Sequence, residues 1–138
     1  MQDSYLLFIG TMNALGAVLL LAATRPSVSD VLLRRWTWIV PQDQPYPDAP
    51  GPAVWTLWAA IGTAGFAWLN FRACTWPAAM ASEVVLLDVI VYGSFELAAI
   101  IGTARGRWGP GLWVTHPLWL GQAAWGGWVL LAGDHLGV

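Results

Sequence analysis

Asp88, Tyr92 and Glu96 recur every four residues inside the apolar run AAMASEVVLLDVIVYGSFELAAIIGT. At 100° per residue, positions i, i+4 and i+8 share one helix face, so the three form a stripe. Two carboxyls and a phenol are groups that take up and release protons. On insertion scales an acid at the centre of a membrane helix costs roughly 2.5–3.5 kcal/mol, so such residues face protein or water and mark function. Glu83 points away from the stripe and lies nearer the end of the run, where Arg72 or lipid headgroups would meet it.

The last apolar run supplies the complementary base. His116 lies about two turns in, close in depth to Glu96 if the two runs are antiparallel neighbours. A His–Glu pair relays protons or does acid–base work. Pro117 follows it and removes a backbone donor. A lone histidine in a Trp-rich helix is thin support for a haem or chlorophyll ligand, and His135 near the terminus reads as solvated. Asp88, Glu96 and His116 are therefore the expected catalytic groups.

Other polar side chains face the same interior. Trp119 and Gln122 follow His116 on the last run, Thr63 and Asn70 come from the second, and Asn13 sits among Gly10, Ala14 and Ala17 of the first. Tyr92, Trp119, Gln122, Asn13 and Thr63 are the expected substrate-binding set. The plainer role for hydroxyls and amides is to hold helices together, at about 0.6–2 kcal/mol per interhelical hydrogen bond. That role suits them better than it suits Asp88 and Glu96, since joining helices needs no ionisable group.

Acids beneath aromatic faces make a pocket for a lipophilic small molecule. Asp88 or Glu96 would protonate an alkene or epoxide, and tryptophan faces would stabilise the resulting cationic character. The expected activity is thus acid-catalysed isomerisation or cyclisation of a terpene- or sterol-like molecule. One alternative is a non-catalytic accessory subunit whose acids pair with polar groups on other membrane proteins. Another is a homo-oligomer that moves protons or cations. The sequence holds no GxSxG elbow, P-loop, HExxH or paired CxxC, so hydrolase, nucleotide and zincin chemistry have no anchor. The single Cys74 excludes an intramolecular disulfide and a Cys-rich metal site. No metal and no cofactor is expected.

The elements that must position these groups are membrane helices. Of 138 residues 57% are hydrophobic and 10% charged, against about 25% charged in an ordinary soluble domain. Net charge is −2 with no basic cluster, so nucleic acid is not a partner; the lipid bilayer is. Four apolar stretches, at about 5–23, 53–71, 78–103 and 112–132, each approach the roughly 20 residues that cross a bilayer. They lack strict alternation and are rich in Ala and Leu, which argues against strands. The expected fold is an all-α integral membrane protein, a four-transmembrane-helix bundle forming one domain over 1–138. The acidic leader Met1-Gln2-Asp3-Ser4 is the wrong n-region for a signal peptide, so the first stretch reads as a retained span.

Arg25, Arg34, Arg35, Arg105 and Arg107 fall on one side of such a bundle, and only Arg72 falls on the other. The positive-inside rule makes it a multi-pass protein of the cell membrane with both termini outside the cytoplasm. The connection 24–52 divides in two. Ser29-Asp30 would cap a short interfacial helix carrying Leu32, Trp36 and Ile39 on one face. The following PQDQPYPDAPGP, with five prolines in twelve residues, is extended or turn-like.

Overall fold

The computed structural model consists of helices: α1 (Gln2–Ala22), the short α2 (Pro26–Ser29), α3 (Pro50–Ala73), α4 (Ala78–Ala104) and α5 (Leu112–Leu136). The structure describes residues 1–31, 50–107 and 112–136, with side chains over 1–31, 56–107, 113 and 116–133, and no strand occurs among them. The helix expected on Leu32, Trp36 and Ile39, with Arg34, Arg35 and the Pro-rich stretch 41–49, lies outside the described residues. So do Trp108 and the side chains of Trp55, Thr115, Asp134 and His135. Among the described residues two helices, α1 and α4, are long and apolar enough to cross a membrane.

Local chemistry sets the helix limits. Asp3 lies in the first turn of α1, where a negative charge complements the helix dipole. Pro26 disfavours helical backbone at the residue before it, and the Thr24 hydroxyl donates to the Leu21 carbonyl at 2.7 Å as α1 ends. Pro26 then occupies the first position of α2, where its missing N–H is harmless. Ser29 is buried inside this turn, so the helical turn begins three residues ahead of the cap expected at Ser29-Asp30. Pro77 separates α3 from α4, and the Thr75 hydroxyl closes the Arg72 carbonyl at 2.8 Å.

The C-terminus of α4 is a Schellman motif. Gly106 has φ +67°, a left-handed conformation that a Cβ would strain. It lets the Arg107 N–H reach the Gly102 carbonyl at 2.9 Å and the Gly106 N–H reach Thr103 at 3.0 Å. Arg105 and Arg107 flank this stop, where cations complement the negative end of the dipole.

The long helices pack as two close pairs, α1 with α3 and α4 with α5, joined by thinner contacts of α1 with α4 and α5 and of α3 with α4. Gln2 Nε2 donates to the Ala78 carbonyl at 3.2 Å and to Ser82 Oγ at 3.3 Å, so α1 and α4 start at the same end. Near this Gln2 end, Tyr5, Leu6, Ile9, Ala73, Ala81, Val84, Val85 and Val129 form an apolar core drawn from all four long helices. Small residues permit the close approaches. A Cβ on Gly10 would lie 3.3 Å from Asn70 Cβ, and one on Gly126 would lie 2.6 Å from Val89 Cγ2.

Away from that core the usual distribution is inverted. Asn13, Asn70, Asp88, Glu96, His116 and Gln122 are buried, while Val18, Leu21, Ile61, Leu97 and Leu131 are exposed. Trp58, Trp68 and Trp128 are each more than 60% exposed, so these three face outward rather than filling the interior.

Candidate functional site

The stripe on α4 is the backbone of the site. Asp88 and Glu96 are 0% and 1% exposed, so both acids face protein and neither faces the surroundings. Tyr92 lies between them, half-buried. Successive members are separated by about 6 Å of helix rise, and each finds its partner on a different helix.

Asp88 meets α3. Asn70 Nδ2 donates to Asp88 Oδ1 at 3.2 Å and also to the Phe66 carbonyl of its own helix at 3.0 Å. Tyr92 meets α1, its hydroxyl donating to Asn13 Oδ1 at 2.5 Å. Glu96 meets α5, with His116 Nδ1 at 2.5 Å from Glu96 Oε1 and both side chains buried. This last approach is a close acid–base contact whose ring N–H direction is not aligned as a hydrogen bond. Trp113 packs edge-on against the imidazole at 5.0 Å between ring centres and helps fix its plane.

The row also holds polar atoms that no group among the described residues meets. Asp88 Oδ2, Asn70 Oδ1, Asn13 Nδ2, Glu96 Oε2, His116 Nε2 and Thr103 Oγ1 are all buried without a hydrogen-bond partner. Leaving such an atom unmet costs about 1–3 kcal/mol, and more when it is charged. Clustering along one line is therefore a costly arrangement for a purely structural seam. It suits a path in which hydrogen bonds are exchanged.

Not every expected side chain joins the row. The Thr63 hydroxyl donates to the Ala59 carbonyl of its own helix at 2.7 Å, and its methyl faces Gly16. Trp119 packs edge-on against Phe95 at 5.0 Å. Gln122 is buried on α5. Glu83 and Arg72 are exposed. Conversely, sequence reasoning missed Tyr5. It is fully buried, packs edge-on against Trp125 at 5.4 Å, and its hydroxyl has no partner. The available signal was the spacing Tyr5, Ile9, Asn13, which places the phenol on the face of α1 that carries Asn13.

Two cavities accompany the row. A groove of about 400 Å³ between α1 and α3 is lined by apolar residues that include Ala14, Ala17, Leu21, Ala60 and Ala64. A cavity of about 720 Å³ at the Gln2 end is lined by Gln2, Ser82, Leu86, Val129, Leu130 and Gly133 among others. Asp88, Tyr92, Glu96 and Trp119 line neither, so neither is the substrate pocket expected around the acids. Among the described residues, no three His, Cys, Asp or Glu side chains cluster as a metal site requires. Comparison with protein-family models, curated proteins and solved structures returns no match to this chain.

Proposed function

We propose that this chain is an integral membrane protein of four helical spans whose interior exchanges protons along the row Asp88, Tyr92, Glu96 and His116. The observation that carries the reading is the buried Glu96–His116 contact, in line with a second buried acid on the same helix face. An acid and an imidazole in contact hand a proton back and forth with little movement. Tyr92 and Asn13 stand between the acids, and the unmet atoms of Asp88, Glu96 and His116 are where bridging water would complete the chain.

The membrane reading rests on the inverted surface. Exposed Leu, Val and Trp around a buried acidic row form a poor surface for water and a good one for hydrocarbon. From Ser82 to Thr103, α4 rises about 31 Å, the thickness of the hydrocarbon core, and both ends of that stretch carry hydroxyls. An acid-catalysed reaction on a lipophilic molecule would need room beside Asp88 or Glu96, and neither the α1–α3 groove nor the Gln2-end cavity supplies it. Proton exchange needs no such room.

The test uses the chain in lipid vesicles loaded with a pH-reporting dye. Wild type is expected to dissipate an imposed pH gradient at least tenfold faster than Asp88→Asn or Glu96→Gln. Each amide keeps the size of its acid and much of its hydrogen bonding but cannot give up a proton. Equal rates in wild type and both amides would overturn the reading.

A further inference from the structure

We infer that the cavity at the Gln2 end is the port of this row, and that the Tyr5 hydroxyl carries protons from the port to Asp88. The inference rests on the proton-exchange reading and adds the route by which protons enter.

Tyr5 has an unexplained atom. Its ring is fully buried in the apolar core and held edge-on by Trp125, a place that phenylalanine would fill equally well. The hydroxyl is buried with no partner among the described residues, so it adds cost without adding packing. The protein nevertheless makes room for it. A Cβ on Gly126 would lie 2.7 Å from Tyr5 Oη, so any other residue there would displace the hydroxyl. The same Cβ would lie 2.6 Å from Val89 Cγ2, which sets the hydroxyl at the level of the residue beside Asp88.

The cavity lies one helical turn away. Leu86 and Val129, which line it, stand one turn from Val89 and Gly126 on their own helices, and Gln2 stands one turn before Tyr5. Val129 also belongs to the core around the Tyr5 ring. Gln2 and Ser82, hydrogen-bonded to each other, give the cavity a polar wall. The phenol thus stands between a polar-walled cavity and the acid row.

The step balances without an oxidant or reductant. A hydronium ion in the cavity gives its proton to Tyr5 Oη as the phenolic proton passes to the unpartnered Oδ2 of Asp88. One hydronium and one carboxylate become one water and one carboxylic acid, and the phenol is regenerated. The ring keeps its packing throughout, so hydrated cations do not follow. The groups that face Asp88 come from three helices. Tyr5 comes from α1, the neutral Asn70 from α3 and Tyr92 from α4 itself. On α5, His116 lies further along, beside Glu96.

The experiment follows the carboxyl C=O infrared band of Asp88 after an acid jump outside vesicles, with Asp88→Asn to assign the band. Vesicles with the Gln2 end outward are quantified by labelling Cys74 to completion with an impermeant maleimide. Tyr5→Phe is expected to slow the band at least tenfold while leaving the melting temperature within a few degrees. Gly126→Ala keeps the phenol but displaces its hydroxyl, and is expected to slow the band similarly. Glu83→Gln, at an exposed site outside the row, is expected to match wild type. A wild-type rate in both Tyr5→Phe and Gly126→Ala overturns the port and leaves the row standing. A wild-type protein with no pH-dependent Asp88 band overturns both.

Discussion

Asn70 on α3 holds Asp88 on α4 through a single 3.2 Å hydrogen bond, while a second N–H of the same amide is directed to the Phe66 carbonyl behind it. An amide tied to its own helix has little rotational freedom, so it fixes one oxygen of the acid and leaves the other, Oδ2, unmet. The α3–α4 boundary is among the thinner ones in the molecule. Its register is therefore set at this depth by a polar contact rather than by a broad apolar seam.

Replacing Asn70 by Leu should destabilise the protein by about 1–3 kcal/mol, because Asp88 Oδ1 would be buried with no donor. Asp88→Asn should be nearly neutral for stability, since its amide oxygen still accepts from Asn70. Denaturant unfolding in detergent checks both, and equal stability of Asn70→Leu and wild type would refute the first.

Removing one member of the Glu96–His116 contact should cost more than removing both. Loss of one partner from a buried charged pair costs roughly 3–5 kcal/mol, whereas replacing both by well-packed neutral groups is often nearly neutral. His116→Gln is expected to fall in that range, and adding Glu96→Gln to it to recover most of the loss. A double-mutant cycle with no coupling between the two positions would sink the pairing.

Gly10 and Gly16 lie on the same helix but should respond differently to alanine. At Gly10 a Cβ would come within 2.9 Å of the Phe71 ring and 3.3 Å of Asn70 Cβ, whereas at Gly16 the nearest atom is Thr63 Cγ2 at 3.5 Å. Gly10→Ala should destabilise by about 1–3 kcal/mol, as overpacking does, and Gly16→Ala should be tolerated. Thermal melting of the two variants side by side decides the matter.

Cys74 should be dispensable and slow to react. It sits between the end of α3 and Pro77, its thiol donates to the Asn70 carbonyl at 3.5 Å, and burial pushes the thiol's pKa above its ordinary value. A raised pKa means less thiolate at neutral pH, so maleimide labelling should be slow there and accelerate only under alkaline conditions. Cys74→Ser is expected to keep assembly and activity. Fast labelling at pH 7 would contradict the burial.

Reporter fusions after Arg35 and after Arg107 should both read cytoplasmic, because five of the six basic residues gather on that side of a four-span arrangement. A reading outside the cytoplasm at either position would break the topology.

What the sequence determined by itself is what depends on neighbours along the chain. The runs of Leu, Ala and Val set the four long helices, and Pro26, Pro77 and Gly106 mark their limits, because hydropathy and backbone restriction act within a few residues. The Asp88–Tyr92–Glu96 stripe was legible from helical periodicity alone. The depth match of His116 to Glu96 followed from antiparallel order, since α4 and α5 are joined by a short connection.

The tertiary structure alone decided which polar groups meet. Asn13, Asn70 and Gln122 all read as facing the interior, and Asn70 is the one that meets Asp88 because the rotation of α3 about its axis turns that amide toward α4. Periodicity fixes which residues share a face but not the direction that face points once helices distant in sequence pack together. For the same reason Thr63 satisfies its own helix, the Gln2-end cavity is not lined by the acids, and Tyr5 enters the picture only when Gly126 is seen opposite its hydroxyl. A close approach of a few ångströms between α1 and α5 is a property of two helices at once, and no single stretch of sequence contains it.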